Sequence, residues 1–189
     1  LGDGTSTNRK TPVDVVGLSS GVLAVSIGWN GHTCALITGS GMKCWGNNSS
    51  GELGNGTAER SATPSDVIGL ASGVSAIATG YSHTCALTIS GAAKCWGSNG
   101  DGQLGIGLTA RRTMPGDVAG LDTSITAVDA GWWHTCAVTS TGGAKCWGEN
   151  ESGGLGDGTE TNRNVPGDVS GLTGSILTLA SGTKHTCAL

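Results

Sequence analysis

The chain has 189 residues, of which 35 are glycine and only 4 proline, and a net charge of −4. That glycine share is well over twice the usual value of roughly 7 % and has no collagen-like triplet period, so the chain must turn often and tightly. The scattered Lys and Arg leave no basic footprint for nucleic acid, and no apolar run approaches the roughly 20 residues that a membrane-spanning helix needs.

Leu1-Gly2-Asp3-Gly4-Thr5 opens the chain, and the same stretch returns as Leu53-Gly54-Asn55-Gly56-Thr57 and Leu155-Gly156-Asp157-Gly158-Thr159. Next come short stretches rich in β-branched residues and bounded by Gly, Ser or Asp. These are Val22–Ile27, 74–78 and Ile125–Ala130, and each predicts a strand. Each leads into a His-Thr-Cys-Ala tetrad, and the four histidines, His32, His83, His134 and His185, stand 51 residues apart. The third copy shows the whole unit: strands over Ile125–Ala130, His134–Thr139 and Ala144–Gly148, a long Gly-rich loop over 150–163, and a last strand near 165–169. No stretch predicts a helix of three turns. One residue is inserted near Asn30-Gly31, since Pro12 to His32 is one residue longer than Pro64 to His83.

A residue that recurs at a fixed period is explained first by the fold, so the period separates scaffold from candidate site. The repeats run over about 1–31 (partial), 32–82, 83–133, 134–184 and 185–189 (partial), within one segment, 1–189. The chain opens late in one unit and stops early in another, so it reads as a fragment cut inside units at both ends, without a signal peptide. A period near 50 with four antiparallel strands per unit predicts an all-β propeller whose four-stranded blades bury their faces only against neighbours.

The cysteines follow the period. Cys34 and Cys44, Cys85 and Cys95, and Cys136 and Cys146 are each ten residues apart across a turn such as Thr38-Gly39-Ser40-Gly41. A hairpin centred near residue 39 brings facing Cα atoms to about 4.5–5.5 Å, within disulfide reach. Three cross-strand disulfides are expected, and with them an oxidising compartment, extracellular or periplasmic. Cys187 has no partner at that spacing. A metal set of His-x-Cys plus Cys competes, but each unit offers no obvious fourth ligand, so neither metal nor cofactor is expected.

Trp45, Trp96 and Trp147, like the four histidines, are periodic and are assigned to packing and structural hydrogen bonds. Asp14, Asp66, Asp117 and Asp168 follow the repeated proline by two and are expected to shape a turn. The Leu-Gly-x-Gly-Thr loops lack the Gly-Lys-Ser/Thr ending of a nucleotide loop. No Ser-His-Asp set or aperiodic carboxylate pair suggests catalysis, and Asp101, Glu149 and Glu151 are placed in solvated loops.

Trp-Gly-x-Asn-x-x-Gly occurs as Trp45-Gly46-Asn47-Asn48-Ser49-Ser50-Gly51, Trp96-Gly97-Ser98-Asn99-Gly100-Asp101-Gly102 and Trp147-Gly148-Glu149-Asn150-Glu151-Ser152-Gly153, each followed by Leu-Gly. With Cys-Ala-Leu before it, this pattern resembles the regulator-of-chromosome-condensation (RCC1-like) repeat over essentially the whole chain. The resemblance implies a seven-bladed ring, of which this segment supplies about four blades. The paired cysteines resemble secreted bacterial relatives, including a β-lactamase inhibitor that grips its target with one propeller face. Nothing carries over a nucleotide-exchange site, so an exchange-factor role rests on family analogy alone.

What breaks the period is the step before each histidine: Trp29-Asn30, Tyr81-Ser82, Trp132-Trp133 and Thr183-Lys184. Every aromatic residue outside the three periodic tryptophans lies here, at the turn between the first two strands of a blade. Trp29, Asn30, Tyr81, Trp132, Trp133 and Lys184 are therefore the candidate binding residues. Two readings stand: aromatics that cover the top of the core, or anchors for a partner protein or glycan. The expected function is a non-catalytic secreted binding module. The alternative is a structural extracellular repeat protein that self-associates through the open edges of incomplete blades.

Overall fold

The computed structural model describes residues 1–172 and 175–189. All of its regular structure is β, in consecutive antiparallel meanders, and the described residues include no helix. The first sheet holds β1 (Val22–Ile27), β2 (His32–Ile37), β3 (Gly41–Gly46) and β4 (Ser61–Asp66). The second holds β5 (Val74–Thr79), β6 (His83–Thr88), β7 (Ala93–Gly97) and β8 (Arg112–Asp117). The third holds β9 (Ile125–Ala130), β10 (His134–Thr139), β11 (Ala144–Gly148) and β12 (Arg163–Asp168), and a hairpin of β13 (Leu179–Ser181) and β14 (Thr186–Ala188) follows. Each sheet takes its first strand from one sequence unit and the other three from the next. The fourth strand of the third sheet begins two residues before the predicted 165 and ends at Asp168, because Arg163 already pairs with Gly148 across a bulge.

Local chemistry explains each step. The turn of the first hairpin uses Gly39 and Ser40, both at positive φ, to close β2 onto β3 with Ile37 opposite Gly41. That register sets Cys34 against Cys44, Cys85 against Cys95 and Cys136 against Cys146, with Cα atoms 4.1–4.2 Å apart. All three pairs are disulfide-bonded, which takes their sulfurs out of any metal set, and Cys187 is a free, exposed thiol. Among the described residues no group of three or more His, Cys, Asp or Glu is placed to hold a metal ion. Pro64, Pro115 and Pro166 fall in β4, β8 and β12, the outermost strands, where a missing N–H costs no ladder bond.

Successive first strands pack on one another, β1 on β5, β5 on β9 and β9 on β13, so they line the inside of the arc. The core lies between sheets. Leu36 and Met42 of the first sheet, with Leu53, Val67 and Leu70 of its loops, bury against Trp96 of the second, and Leu87 of the second sheet, with Leu104, Val118 and Leu121 of its loops, buries against Trp147 of the third. Each such aliphatic side chain contributes about 1.5–3 kcal/mol through burial. Among the described residues no helix is long and apolar enough to cross a membrane.

Candidate interaction rim

The turns before the histidines rest on a joint repeated between blades. His32 Nε2 lies 3.1 Å from the Thr84 hydroxyl of the next blade, and that hydroxyl donates to the Glu52 carbonyl at 2.8 Å. Trp96 Nε1 donates to the same carbonyl at 2.8 Å. One blade on, His83 meets Thr135 at 2.9 Å, and Thr135 and Trp147 both donate to the Gln103 carbonyl, each at 2.9 Å. Since Thr84 and Thr135 spend their protons on carbonyls, the histidine Nε2 must donate to the threonine oxygen. His134 Nε2 lies 2.9 Å from the Thr186 hydroxyl. All three rings are fully buried. A Cβ on Gly28, Gly80 or Gly131 would run into the ring of His32, His83 or His134, so glycine is required there.

Burial disfavours the imidazolium at every joint. It holds His32 and His134 down at about 4, and His83, which also faces the charges of its two neighbouring histidines, at about 3. These rings are neutral struts, and their depth shields them from any substrate. The assignment to structure holds for His32, His83 and His134 and for the three buried tryptophans, whereas His185 is exposed. The residue that sequence reading missed is the threonine after the histidine, which joins a ring 52 residues before it to a carbonyl 32 residues before it.

Above these joints the rim loops are tied in series. Asn30 N–H donates to the Tyr81 carbonyl at 3.0 Å, and Tyr81 N–H to the Trp132 carbonyl at 3.2 Å. Asn30 Nδ2 donates to the Ser82 hydroxyl at 2.8 Å. This arrangement brings four aromatic side chains from three blades into one cluster. Trp29 meets Trp132 edge-on at 5.8 Å between centroids, Tyr81 meets Trp132 at 5.3 Å, and Tyr81 meets Trp133 at 4.7 Å. Such spacings suit aromatic pairs and hold the rings in place. Trp29 is 72 % exposed, while Tyr81, Trp132 and Trp133 are half-buried. Trp132 Nε1 is enclosed without a hydrogen-bond partner.

Other expectations need correction. Lys184 takes no part in the ring cluster; it pairs with Glu149 at 3.7 Å. Glu149, expected in a solvated loop, is 5 % exposed, because its N–H is fixed to the Trp133 carbonyl under the rim at 2.9 Å. Asp66, Asp117 and Asp168 do not shape turns: their carboxylates pair with Lys43, Lys94 and Lys145 across the two outer strands. Where the loop keeps both an Asp and an Arg, Asp3 binds Arg9 and Asp157 binds Arg163.

The family model for the regulator of chromosome condensation (RCC1) repeat matches residues 44–87, 91–138 and 145–189. The ultraviolet-B receptor UVR8 of Arabidopsis thaliana is 34 % identical over 195 residues, covering 100 % of this chain and 44 % of the receptor. The probable E3 ubiquitin-protein ligase HERC4 of Homo sapiens is 35 % identical over 161 residues, covering 83 % of this chain and 15 % of the ligase. The chain thus spans less than half the length of these relatives. Among solved structures, Prp20p of Saccharomyces cerevisiae superposes with a TM-score of 0.78 at 23 % identity, over 88 % of this chain and 43 % of that one. Human WBSCR16 does so at 0.57 and 18 % identity, over 94 % and 60 %. Repeat signature, four-stranded blades and inter-blade packing agree: the chain belongs to the RCC1 repeat family and folds as part of its β-propeller.

Proposed function

We propose that this segment is a non-catalytic protein-binding module that works outside the cytoplasm and grips its partner through the aromatic rim. The observation that carries this reading is the ring cluster itself. Four rings from three blades meet at the variable step before the repeated histidine, and loops bonded in series hold them. Rigid Trp and Tyr side chains lose little freedom on binding and dominate interface hot spots. The half-buried state of Trp132 and Trp133 serves both earlier readings: these rings cap the core and also brace Trp29 at the surface. The three disulfides favour an oxidising compartment. Structures of related propellers point the same way, since Prp20p is described with Gsp1p and histones and in complex with Kap60.

The test compares the native protein with Trp29→Ala and Tyr81→Ala in capturing partners from the extracellular fraction of the source organism. Binding lost in both variants at unchanged melting temperature supports the rim. A partner retained by both variants refutes it.

A second reading has the same ring contacts in its favour. Indoles absorb ultraviolet light, and a relative at 34 % identity is an ultraviolet-B receptor. Irradiation that changes tryptophan emission or mass in solution in the native protein, and not in Trp132→Phe, would favour light sensing over partner capture.

A further inference from the structure

Two seams lie between complete sheets, and the same backbone contacts build both. A Cβ added to Gly51 would fall 2.7 Å from Thr113 Cα of the second blade, and one added to Gly102 would fall 2.6 Å from Asn164 Cα of the third. Gly56 N–H donates to the Thr113 carbonyl at 2.9 Å, and Gly107 N–H to the Asn164 carbonyl at 2.8 Å. Differences in what fills the two seams therefore come from side chains. The long loops that make them leave from the rim, since Asn47, Ser98 and Glu149 each donate an N–H to a carbonyl of the adjoining turn, that of Gly31, Ser82 and Trp133.

In the first seam Arg111 crosses from the second blade, and its Nη1 donates to the Ser49 carbonyl of the first at 3.0 Å. One repeat further, the second seam has Asn162 in place of Arg111, Gly100 in place of Ser49 and Asp101 in place of Ser50. Asn162 does not cross, because its Oδ1 receives the Asn150 N–H of its own loop at 2.8 Å. A cavity of about 240 Å³ lies there instead, lined by Gly100, Asp101, Thr109, Asn162 and Asn164. None of the ion pairs among the described residues includes Asp101. Partial burial and the charge of Glu151, from the facing loop, raise its carboxyl above the usual value. Where the first seam holds a guanidinium, the second therefore holds negative charge beside the equivalent carbonyl.

We infer that the second seam is a guanidinium-accepting site, which takes an arginine side chain of a partner protein between the loops of the second and third blades. The guanidinium donates to the Gly100 carbonyl, as Arg111 does to that of Ser49, and pairs with Asp101. Arginine suits the seam better than lysine: its planar fork serves a carbonyl and a carboxylate at once, whereas an ammonium is a more strongly hydrated point charge. The inference rests on the binding reading above for the nature of the partner, and it adds a charged contact beside the aromatic one. The site itself uses none of the rim rings.

The probe is arginine blocked at both ends, as N-acetyl-arginine N-methylamide, titrated into the isotope-labelled native protein at low ionic strength and followed by amide chemical shifts. Saturable shifts centred on Gly100, Asp101 and Asn162 are expected, with the corresponding lysine compound binding more weakly. Asp101→Asn should weaken the arginine compound about threefold, the size of a partly exposed ion pair. Asn162→Arg, which supplies the guanidinium from the chain itself, should abolish the shifts. Unchanged amide positions away from the seam report that both variants keep the fold. No saturable shift at the seam of the native protein, binding unaltered in either variant, or equal binding of the arginine and lysine compounds would each overturn the inference. The titration needs neither a partner nor a rim ring. A rim that captures nothing leaves its outcome unaffected, and a silent titration leaves the rim reading standing.

Discussion

The joint between blades and the rim above it are separated by one or two residues along the chain, yet they are built on opposite principles. The joint is periodic and buried: each of its histidines meets a threonine through Nε2, Thr84 and Trp96 share one carbonyl, and Thr135 and Trp147 share another, while the histidine Nδ1 atoms stay enclosed without a partner. The rim is aperiodic and half-wet, with an indole N–H that has no partner. Adjacent positions can differ this much because the joint fixes the backbone of the turn, so the side chain at the next position can vary without moving it.

That contrast can be broken most forcefully from the joint side. Trp96→Ala empties the contact between the first two blades and removes a donor to Glu52, so chemical denaturation should show a loss of about 3–5 kcal/mol. Acid comes next. Because the folded pKa values of the three histidines lie below the unfolded value of 6.5, stability is fully present above pH 6.5. It falls as the unfolded chain takes up protons and levels off below about 3 to 4. Equilibrium unfolding across that window should follow this course, and Thr84→Val or His83→Gln should change its depth. Thr135→Val is smaller, about 1–3 kcal/mol, because His83 then loses its acceptor while Trp147 still serves the Gln103 carbonyl. From the rim side, Trp29→Ala should leave unfolding unchanged within about 0.5 kcal/mol yet weaken partner binding by about 2 kcal/mol, measurable by titration calorimetry. The smallest effect belongs to Asp66→Asn. Its carboxylate is largely exposed, so loss of the Lys43 pair should not register in the melting temperature.

What could be read from the sequence follows the same division. Strand positions, the three disulfides and the placement of the variable turns on one rim are local consequences of glycine spacing and β-branched runs, and the structure agrees with them. The threonine of the joint was invisible because its partners lie 32 and 52 residues away, in contacts that only blade stacking creates. The same holds for Glu149, whose loop composition looked solvated and which the neighbouring turn covers. The ring contacts among Trp29, Tyr81 and Trp132 could not be foreseen either, since spacing along the chain does not reveal which loops lean together. Lys184 carries the rim signature in sequence, but its blade stands beyond the cluster and its charge is drawn to Glu149 instead.

The joint also bears on how such a chain can grow. Each unit supplies the histidine that reaches forward, the threonine that receives from behind, and the carbonyl that the following unit needs. A duplication or deletion of one whole 51-residue unit therefore leaves no orphaned half-joint, whatever point within the unit the crossover takes. Recombination between the copies is tolerated by the framework, and each event delivers one more or one fewer rim turn for selection to vary.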